Sequence, residues 1–143
     1  MRIIETNSVS ETEEAGRALA ERIAESDRLY FIEMYGDLGA GKTAFVRGLA
    51  SVLSPGSRVK SPTYTIVNEY RRGAVPLFHF DLYRVENAIE LGGFGFEEYV
   101  ESGNCVAEWS EHLGDAHPQG AVRVTIEKTG EESRRIIVEN IEF

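Results

Sequence analysis

The sequence is poor in features that would direct it to a membrane, a disulfide framework or nucleic acid. It has one cysteine, Cys105, in 143 residues, which excludes an internal disulfide and a cysteine-rich zinc cluster. No long apolar run is present, and the first residues lack the apolar segment of a secretory signal. The length and the 42% hydrophobic fraction are typical of one globular domain. We therefore expect a single domain over residues 1–143 of a cytoplasmic protein, without a membrane partner.

Positive charge is also scarce. Asp and Glu number 24 against 15 for Lys and Arg, which gives a net charge of −9. Because contacts from Lys and Arg to phosphate supply most of the affinity for nucleic acids, we expect no tight binding of DNA or RNA by this chain alone. The three lysines are Lys42, Lys60 and Lys128, and Lys42 alone lies in a glycine-rich segment.

Helices and strands alternate in the first part of the chain, and hairpins follow. A capping box at Ser10-Glu11-Thr12-Glu13 predicts the start of the first helix. This order favours an α/β fold with a mixed central sheet, helices on its faces and a C-terminal β-hairpin. The patterns predict helices over about 11–26, 41–53 and 86–91, and strands over about 29–35, 64–70, 75–82, 105–109, 122–127 and 135–143.

The segment between the first predicted strand and the second helix matches the phosphate-loop pattern GxxxxGK[ST]. Glycines let successive backbone N–H groups turn toward an anion, and the following helix adds its positive end. Lys42 would bind the β- and γ-phosphates, and the Thr43 hydroxyl would bind Mg²⁺. A chance glycine-rich turn is the alternative, but an apolar strand precedes the segment and a helix follows it. The predicted nucleotide-binding residues are Gly36, Asp37, Leu38, Gly39, Ala40, Gly41, Lys42, Thr43 and Ala44.

Two acidic residues are candidates for the second group that a phosphate loop needs near its metal ion. Asp81 ends one apolar run and Glu108 ends another, and spacing alone does not choose between them. Neither the NKxD nor the DxxG motif of GTPases occurs, so ATP is favoured over GTP. Of the other reactive side chains, His79 is expected to be structural, and Cys105 to be a small core residue.

Together with the loop, the segments 61–70, 79–84 and 108–109 resemble the TsaE (YjeE) family over essentially the whole chain. That family comprises small bacterial ATPases of tRNA threonylcarbamoyladenosine synthesis. The resemblance implies a P-loop ATPase domain in which Thr43 and Glu108 ligate Mg²⁺ and Asp81 supports the water shell of the metal ion or the attacking water. It also implies that Thr63 lies in a switch-like loop near the γ-phosphate. Adenine would lie near Ser10, Thr12 and Arg134.

The resemblance further implies partners. The chain would bind TsaB and TsaD, the proteins that transfer threonylcarbamoyl, and use ATP to keep that pair cycling, with weak ATPase activity when alone. It would meet tRNA only indirectly and would be a monomer when free. The glycines in 92–95 are more numerous than the family pattern suggests, which makes a local helix there uncertain.

Two other functions fit a short phosphate-loop protein. A small-molecule kinase would need an acceptor pocket and an arginine-bearing lid, for which Arg58, Arg71 and Arg72 are available. A non-enzymatic module would bind ATP without turnover. A phosphorylated metabolite would indicate the kinase, and binding without hydrolysis would indicate the module.

Overall fold

The computed structural model describes residues 1–37, 39–62 and 65–143. Leu38, Thr63 and Tyr64 lie outside the described residues. The strands are β1 (Arg2–Thr6), β2 (Phe31–Tyr35), β3 (Val67–Tyr70), β4 (Leu77–Asp81), β5 (Asn104–Glu108), β6 (Val122–Lys128) and β7 (Arg134–Glu139). The α-helices are α1 (Val9–Ala24), α2 (Lys42–Leu53), α3 (Ala88–Gly93) and α4 (Phe96–Ser102), and 3₁₀ turns cover Ser110–Ala116.

The described strands form one mixed sheet in the order β1-β7-β6-β2-β5-β4-β3. The four strands β6, β2, β5 and β4 are parallel to one another, and the antiparallel strands β7 and β3 flank them. The predicted α/β class with a mixed sheet and a C-terminal hairpin is therefore confirmed. Because β2, β4 and β5 run in the same direction, their carboxyl ends meet at one edge of the sheet, where ligands bind in α/β folds.

Each face of the sheet is covered by a separate apolar cluster. Ile32 and Met34 of β2 pack with α1 and α2 on one face. Phe78 and Phe80 of β4 pack with residues of α3 and α4 on the other. Central parallel strands that are covered on both faces are apolar along their length. For this reason continuous apolar runs in the sequence predicted β2 and β5. In the described part of the chain, no helix is long and apolar enough to span a membrane.

Helices α1 and α2 contact each other through glycines, at backbone distance. A Cβ atom on Gly16 would lie 2.2 Å from the carbonyl oxygen of Phe45, and one on Gly48 would lie 2.0 Å from that of Glu13. Only glycine allows this approach, because real Cβ atoms essentially never come so close to another heavy atom. The contact fixes α2, and with it the loop that precedes α2, against α1.

We expect Gly48→Ala to lower the free energy of unfolding by about 2 kcal/mol or more, because the helices must separate to admit one methyl group. Thermal and urea unfolding followed by circular dichroism measure the change. Gly92→Ala in α3 is the matched control, since a Cβ there meets nothing within 4 Å. That control should leave stability unchanged or raise it by up to about 1 kcal/mol. Equal midpoints for Gly48→Ala and wild type would contradict the close packing.

The start of α1 differs from the prediction. The helix begins at Val9 with Ser8 as its N-cap: the Ser8 hydroxyl accepts a hydrogen bond from the Glu11 N–H at 3.1 Å. The Glu11 carboxylate accepts one from the Asn7 N–H at 2.9 Å. The expectation of a capping box at Ser10 was wrong by two residues. Two S-x-x-E patterns overlap, one from Ser8 and one from Ser10, and the earlier one supplies acceptors for the N–H groups of both Asn7 and Glu11.

Three elements were not predicted: β1, α4 and the 3₁₀ turns over Ser110–Ala116. Strand β1 lies at the sheet edge with mostly exposed side chains, so its apolar pattern is weak. Helix α4 follows α3 almost immediately, because Gly95, at φ 83°, lets the chain turn without a longer loop. The glycines that made a local helix uncertain therefore end one helix and start another. The predicted hairpins β3–β4 and β6–β7 are present; β3, β4 and β7 are shorter than expected, and β6 is one residue longer.

Candidate phosphate-binding site

The loop between β2 and α2 has a backbone that requires glycine. Gly36, Gly39 and Gly41 have φ values of 150°, 79° and 104°. A Cβ atom on Gly36 would also lie 2.7 Å from the carbonyl oxygen of Ile126 in β6. Side chains at these positions would strain the backbone, and at Gly36 would clash with β6. The predicted glycine positions are thus those that shape the loop.

Helix α2 starts without the usual side-chain cap. Gly41 is its N-cap, and among the described residues none caps it or places an acid in its first turn. The first N–H groups of a helix have no partner within the helix, and they carry its positive end. Lys42, Thr43 and Ala44 belong to this turn, so their N–H groups suit an anion.

Lys42 adds a nearly buried positive charge to the loop. Its side chain is 6% exposed, and its Nζ donates to the carbonyl oxygen of Gly36 at 2.8 Å. Nζ also lies 4.4 Å from the ring centroid of Trp109, at the distance of a cation–π contact. Trp109 immediately follows β5 and has a left-handed backbone, at φ 60°. The contact places the ammonium group between the loop and the end of β5.

A hydroxyl pair joins the start of α2 to a neighbouring loop. The Oγ1 of Thr43 lies 3.2 Å from the Oγ of Ser61. Ser61 also lines a cavity of about 280 Å³ beside the end of β4. Thr63, the third residue of that predicted switch-like segment, lies outside the described residues. The described residues that line this cavity are Ser61, Pro62, Thr65, Ile66, Asp81, Tyr83 and Arg84.

The two candidate acids lie side by side. Asp81 and Glu108 are opposite each other in the register of the parallel strands β4 and β5. Asp81 is half-buried, and its Oδ1 accepts a hydrogen bond from the Tyr83 N–H at 3.0 Å. Glu108 is 5% exposed, and its Oε2 accepts a hydrogen bond from the Nε2 of His79 at 2.5 Å. The structure therefore brings both predicted acids to the same edge as the glycine loop.

Arg134 holds the glycine loop to the C-terminal hairpin. Its Nε donates to the carbonyl of Ala40 at 2.7 Å, and its Nη2 to that of Gly39 at 3.0 Å. Its Nη1 donates to the carbonyl of Ser133 at 2.8 Å. A guanidinium group makes several directed hydrogen bonds at once, so Arg134 fixes the glycine loop to the start of β7.

The other predicted adenine contacts, Ser10 and Thr12, lie on α1, and Thr12 is close to the loop: its Cγ2 would lie 3.7 Å from a Cβ atom on Gly41. Ser10 is exposed in the first turn of α1. Thr12 is 2% exposed, and its hydroxyl shares a hydrogen bond of 2.9 Å with that of Thr6. The role of Ser10, Thr12 and Arg134 in binding adenine stays a prediction.

Two other titratable groups of the central strands, Cys105 and Glu33, are buried. Cys105 is buried in β5, where burial raises the pKa of its thiol to about 12, so the thiol stays protonated at neutral pH. Glu33 of β2 is 3% exposed and accepts hydrogen bonds of 2.8 Å from the Tyr35 hydroxyl and from Nδ1 of His117. Burial and the contact with Glu33 raise the pKa of Tyr35 above its usual range.

Comparison with known proteins gives a consistent result. The profile of the family described as "Threonylcarbamoyl adenosine biosynthesis protein TsaE" matches residues 6–136. A Bacillus subtilis protein named tRNA threonylcarbamoyladenosine biosynthesis protein TsaE is 40% identical over 106 residues, which are 73% of this chain and 66% of that protein. A Haemophilus influenzae protein of the same name is 36% identical over 115 residues, 78% of this chain and 73% of that one. The chain thus spans about two thirds of these relatives' lengths. The crystal structure of Bacillus subtilis YdiB superposes with a TM-score of 0.74 at 30% identity, covering 94% of this chain and 82% of that one.

Proposed function

The chain belongs to the TsaE family, a P-loop NTPase family of threonylcarbamoyladenosine biosynthesis, and we propose that it binds and hydrolyses ATP in that synthesis on tRNA. In this proposal it acts on a complex of TsaB and TsaD, sustains the cycling of that complex, and does not transfer the threonylcarbamoyl group itself. The observation that carries the proposal is the glycine loop with Lys42. This lysine opens α2, which has no side-chain cap, and its ammonium group lies 2.8 Å from the carbonyl oxygen of Gly36 at the other end of the loop.

The donor set of the loop fits a polyphosphate. The loop ends in the first turn of α2, whose N–H groups have no partner inside the helix, and it carries one nearly buried ammonium group. In the described part of the loop, no acid stands in that turn to repel an anion. Arg134 is bound to the loop carbonyls of Gly39 and Ala40, so it stabilises the loop conformation that phosphates would meet.

The residues beside the loop also fit Mg²⁺. Within the described residues, no three His, Cys, Asp or Glu side chains gather into a metal-binding cluster. Mg²⁺ seldom needs such a cage, since it is usually held by one or two carboxylates together with substrate phosphates and water. Thr43 and Glu108 would hold the ion, with Asp81 next to Glu108 supporting its water shell or the attacking water. Bound with ATP, Mg²⁺ would neutralise charge on the β- and γ-phosphates.

The residues of the chain supply the remaining chemistry by position. Lys42 would bind the β- and γ-phosphates and stabilise the charge that develops when the γ-phosphoryl group leaves. The N–H groups at the start of α2 would bind the same oxygens without reorganising, because the glycine backbone and the Arg134 contacts already fix the loop. Asp81 would accept or orient a proton of the attacking water.

The charge of the chain supports an indirect role on tRNA. A net charge of −9 opposes tight tRNA binding, so we place tRNA contact in the partner proteins TsaB and TsaD. We also propose that the protein acts in the cytoplasm, where tRNA is modified, and is a monomer when free.

The pathway is tested in cells. We expect depletion of this protein to lower threonylcarbamoyladenosine in total tRNA, measured by mass spectrometry of nucleosides, and wild-type protein to restore it. The control is another modified nucleoside in the same sample, which should not change. A threonylcarbamoyladenosine level that stays constant during full depletion would refute the proposed role.

A further inference from the structure

A row of buried polar side chains runs across three adjacent strands toward the candidate metal site. Tyr70 of β3, His79 of β4 and Glu108 of β5 are 7%, 0% and 5% exposed. The Tyr70 hydroxyl lies 3.0 Å from Nδ1 of His79, and Nε2 of His79 lies 2.5 Å from Oε2 of Glu108. His79 therefore has a partner at each ring nitrogen, and Glu108 is the end of the row that reaches the sheet edge.

The chemistry of the partners sets the direction of both hydrogen bonds. An ionised carboxylate only accepts, so Nε2 of His79 carries a hydrogen and donates it to Glu108. In a neutral ring Nδ1 then accepts. The Tyr70 hydroxyl also lies 3.3 Å from the carbonyl oxygen of Lys60, but Nδ1 is the nearer acceptor at 3.0 Å, and the hydroxyl donates its hydrogen there. Burial raises the pKa of Tyr70, so this hydroxyl keeps its proton. Tyr70 thereby selects the imidazole tautomer that Glu108 requires.

Burying this row of polar side chains costs more free energy than burying apolar side chains at the same positions. Taking an imidazole and a carboxylate out of water costs free energy that apolar side chains would not cost. Every other described side chain of β4 that is fully buried is apolar. The contact with His79 also fixes the rotamer of Glu108 before any ligand binds. Binding of a ligand to Glu108 therefore loses less side-chain entropy.

We propose that His79 is a positioning residue that fixes the Glu108 carboxylate for Mg²⁺, with Tyr70 holding the His79 ring in the required tautomer. The inference rests on the proposed function. One oxygen of Glu108 is bound to His79, which leaves the other for the metal ion. Groups that orient a metal ligand in this way typically contribute 10- to 100-fold to metal affinity.

The experiment measures ATP binding by calorimetry, first in EDTA and then as a function of Mg²⁺ concentration. For His79→Leu we expect the half-saturating Mg²⁺ concentration to rise about tenfold or more. Metal-free ATP affinity should stay within about twofold of wild type, because the described hydrogen-bond partners of His79, Tyr70 and Glu108, lie outside the glycine loop. His79→Gln should recover most of the Mg²⁺ response, since its amide nitrogen can donate to Glu108. Tyr70→Phe, which keeps the ring and the fold, should raise the Mg²⁺ requirement about threefold.

A purely structural role makes a different prediction. Phe78→Leu, at the neighbouring buried position of β4, should lower the unfolding midpoint but leave the Mg²⁺ requirement unchanged. If His79→Leu and Tyr70→Phe also bind Mg²⁺ as wild type does, the positioning role is refuted. If His79→Leu does not fold, His79→Met, which fills the buried position but cannot donate to Glu108, takes its place. A wild-type Mg²⁺ requirement in both His79→Met and Tyr70→Phe then refutes the positioning role. If wild-type ATP binding itself shows no Mg²⁺ dependence, the proposed function fails, and this inference with it.

Discussion

Replacing Lys42 with methionine is expected to weaken ATP binding about 10- to 100-fold and to reduce hydrolysis to background. Hydrogen bonds to charged groups contribute about 1.5–3 kcal/mol, which sets the loss in binding. The loss in turnover should be larger, because Lys42 would also stabilise the charge that develops on the transferred phosphoryl group in the transition state. Calorimetry with ATP and single-turnover hydrolysis, each with and without the TsaB–TsaD complex, measure the two effects.

Methionine is the suitable replacement because the Lys42 stem is buried against the loop and the Trp109 ring. It keeps the length and packing of the stem and removes only the ammonium group, so the fold should be retained. Lys128→Met, at an exposed position of β6, is the matched control for the loss of one positive charge. Wild-type ATP affinity in Lys42→Met would remove the phosphate-binding role from this loop, whereas binding with no turnover in wild type would favour the non-enzymatic module.

The phosphate loop could be predicted because its determinants are contiguous. Gly36, Gly39 and Gly41 take backbone angles that few other residues adopt, and Lys42 and Thr43 follow directly. The strand before the loop and the helix after it are long, regular patterns, so their positions were nearly correct. Local sequence therefore specified the part of the site in which the backbone itself is the ligand-binding group.

The rest of the site depends on register and on contacts between distant segments. Arg134 reaches the loop from 94 residues away, and the pairing of Asp81 with Glu108 exists only because β4 and β5 are adjacent in one register. His79 was expected to be structural, since a histidine between two phenylalanines shows nothing of its partners. A polar residue within an apolar strand was the available signal, but it did not identify Glu108. The overlapping caps at Ser8 and Ser10 show the same limit, because both patterns were locally acceptable.

Substitution of the two acids one at a time should separate their roles, with the larger metal effect at Glu108. Glu108→Gln keeps the size of the side chain and an acceptor for His79 but removes the charge, so we expect the Mg²⁺ requirement for ATP binding to rise about tenfold or more. The effect of Glu108→Gln should be large because Glu108 is nearly buried, and water screens the attraction between a buried carboxylate and a metal ion only weakly. Titration of ATP binding with Mg²⁺ measures it, and Glu101→Gln at an exposed position of α4 is the control.

Asp81→Asn should instead reduce single-turnover hydrolysis about 100-fold while changing the Mg²⁺ requirement less than threefold, since general acid–base groups contribute about 10²–10⁴ in rate. The half-buried Asp81 is held at Oδ1 by the Tyr83 N–H, and asparagine keeps that acceptor, so the turn after β4 should be unchanged. If Glu108→Gln leaves the Mg²⁺ requirement for ATP binding unchanged and Asp81→Asn raises it strongly, the two roles are exchanged and the metal is assigned to Asp81. Because the two strand ends are adjacent, that exchange would move the ion by one strand without changing the phosphate loop, and it would also remove the reason for His79 to hold Glu108.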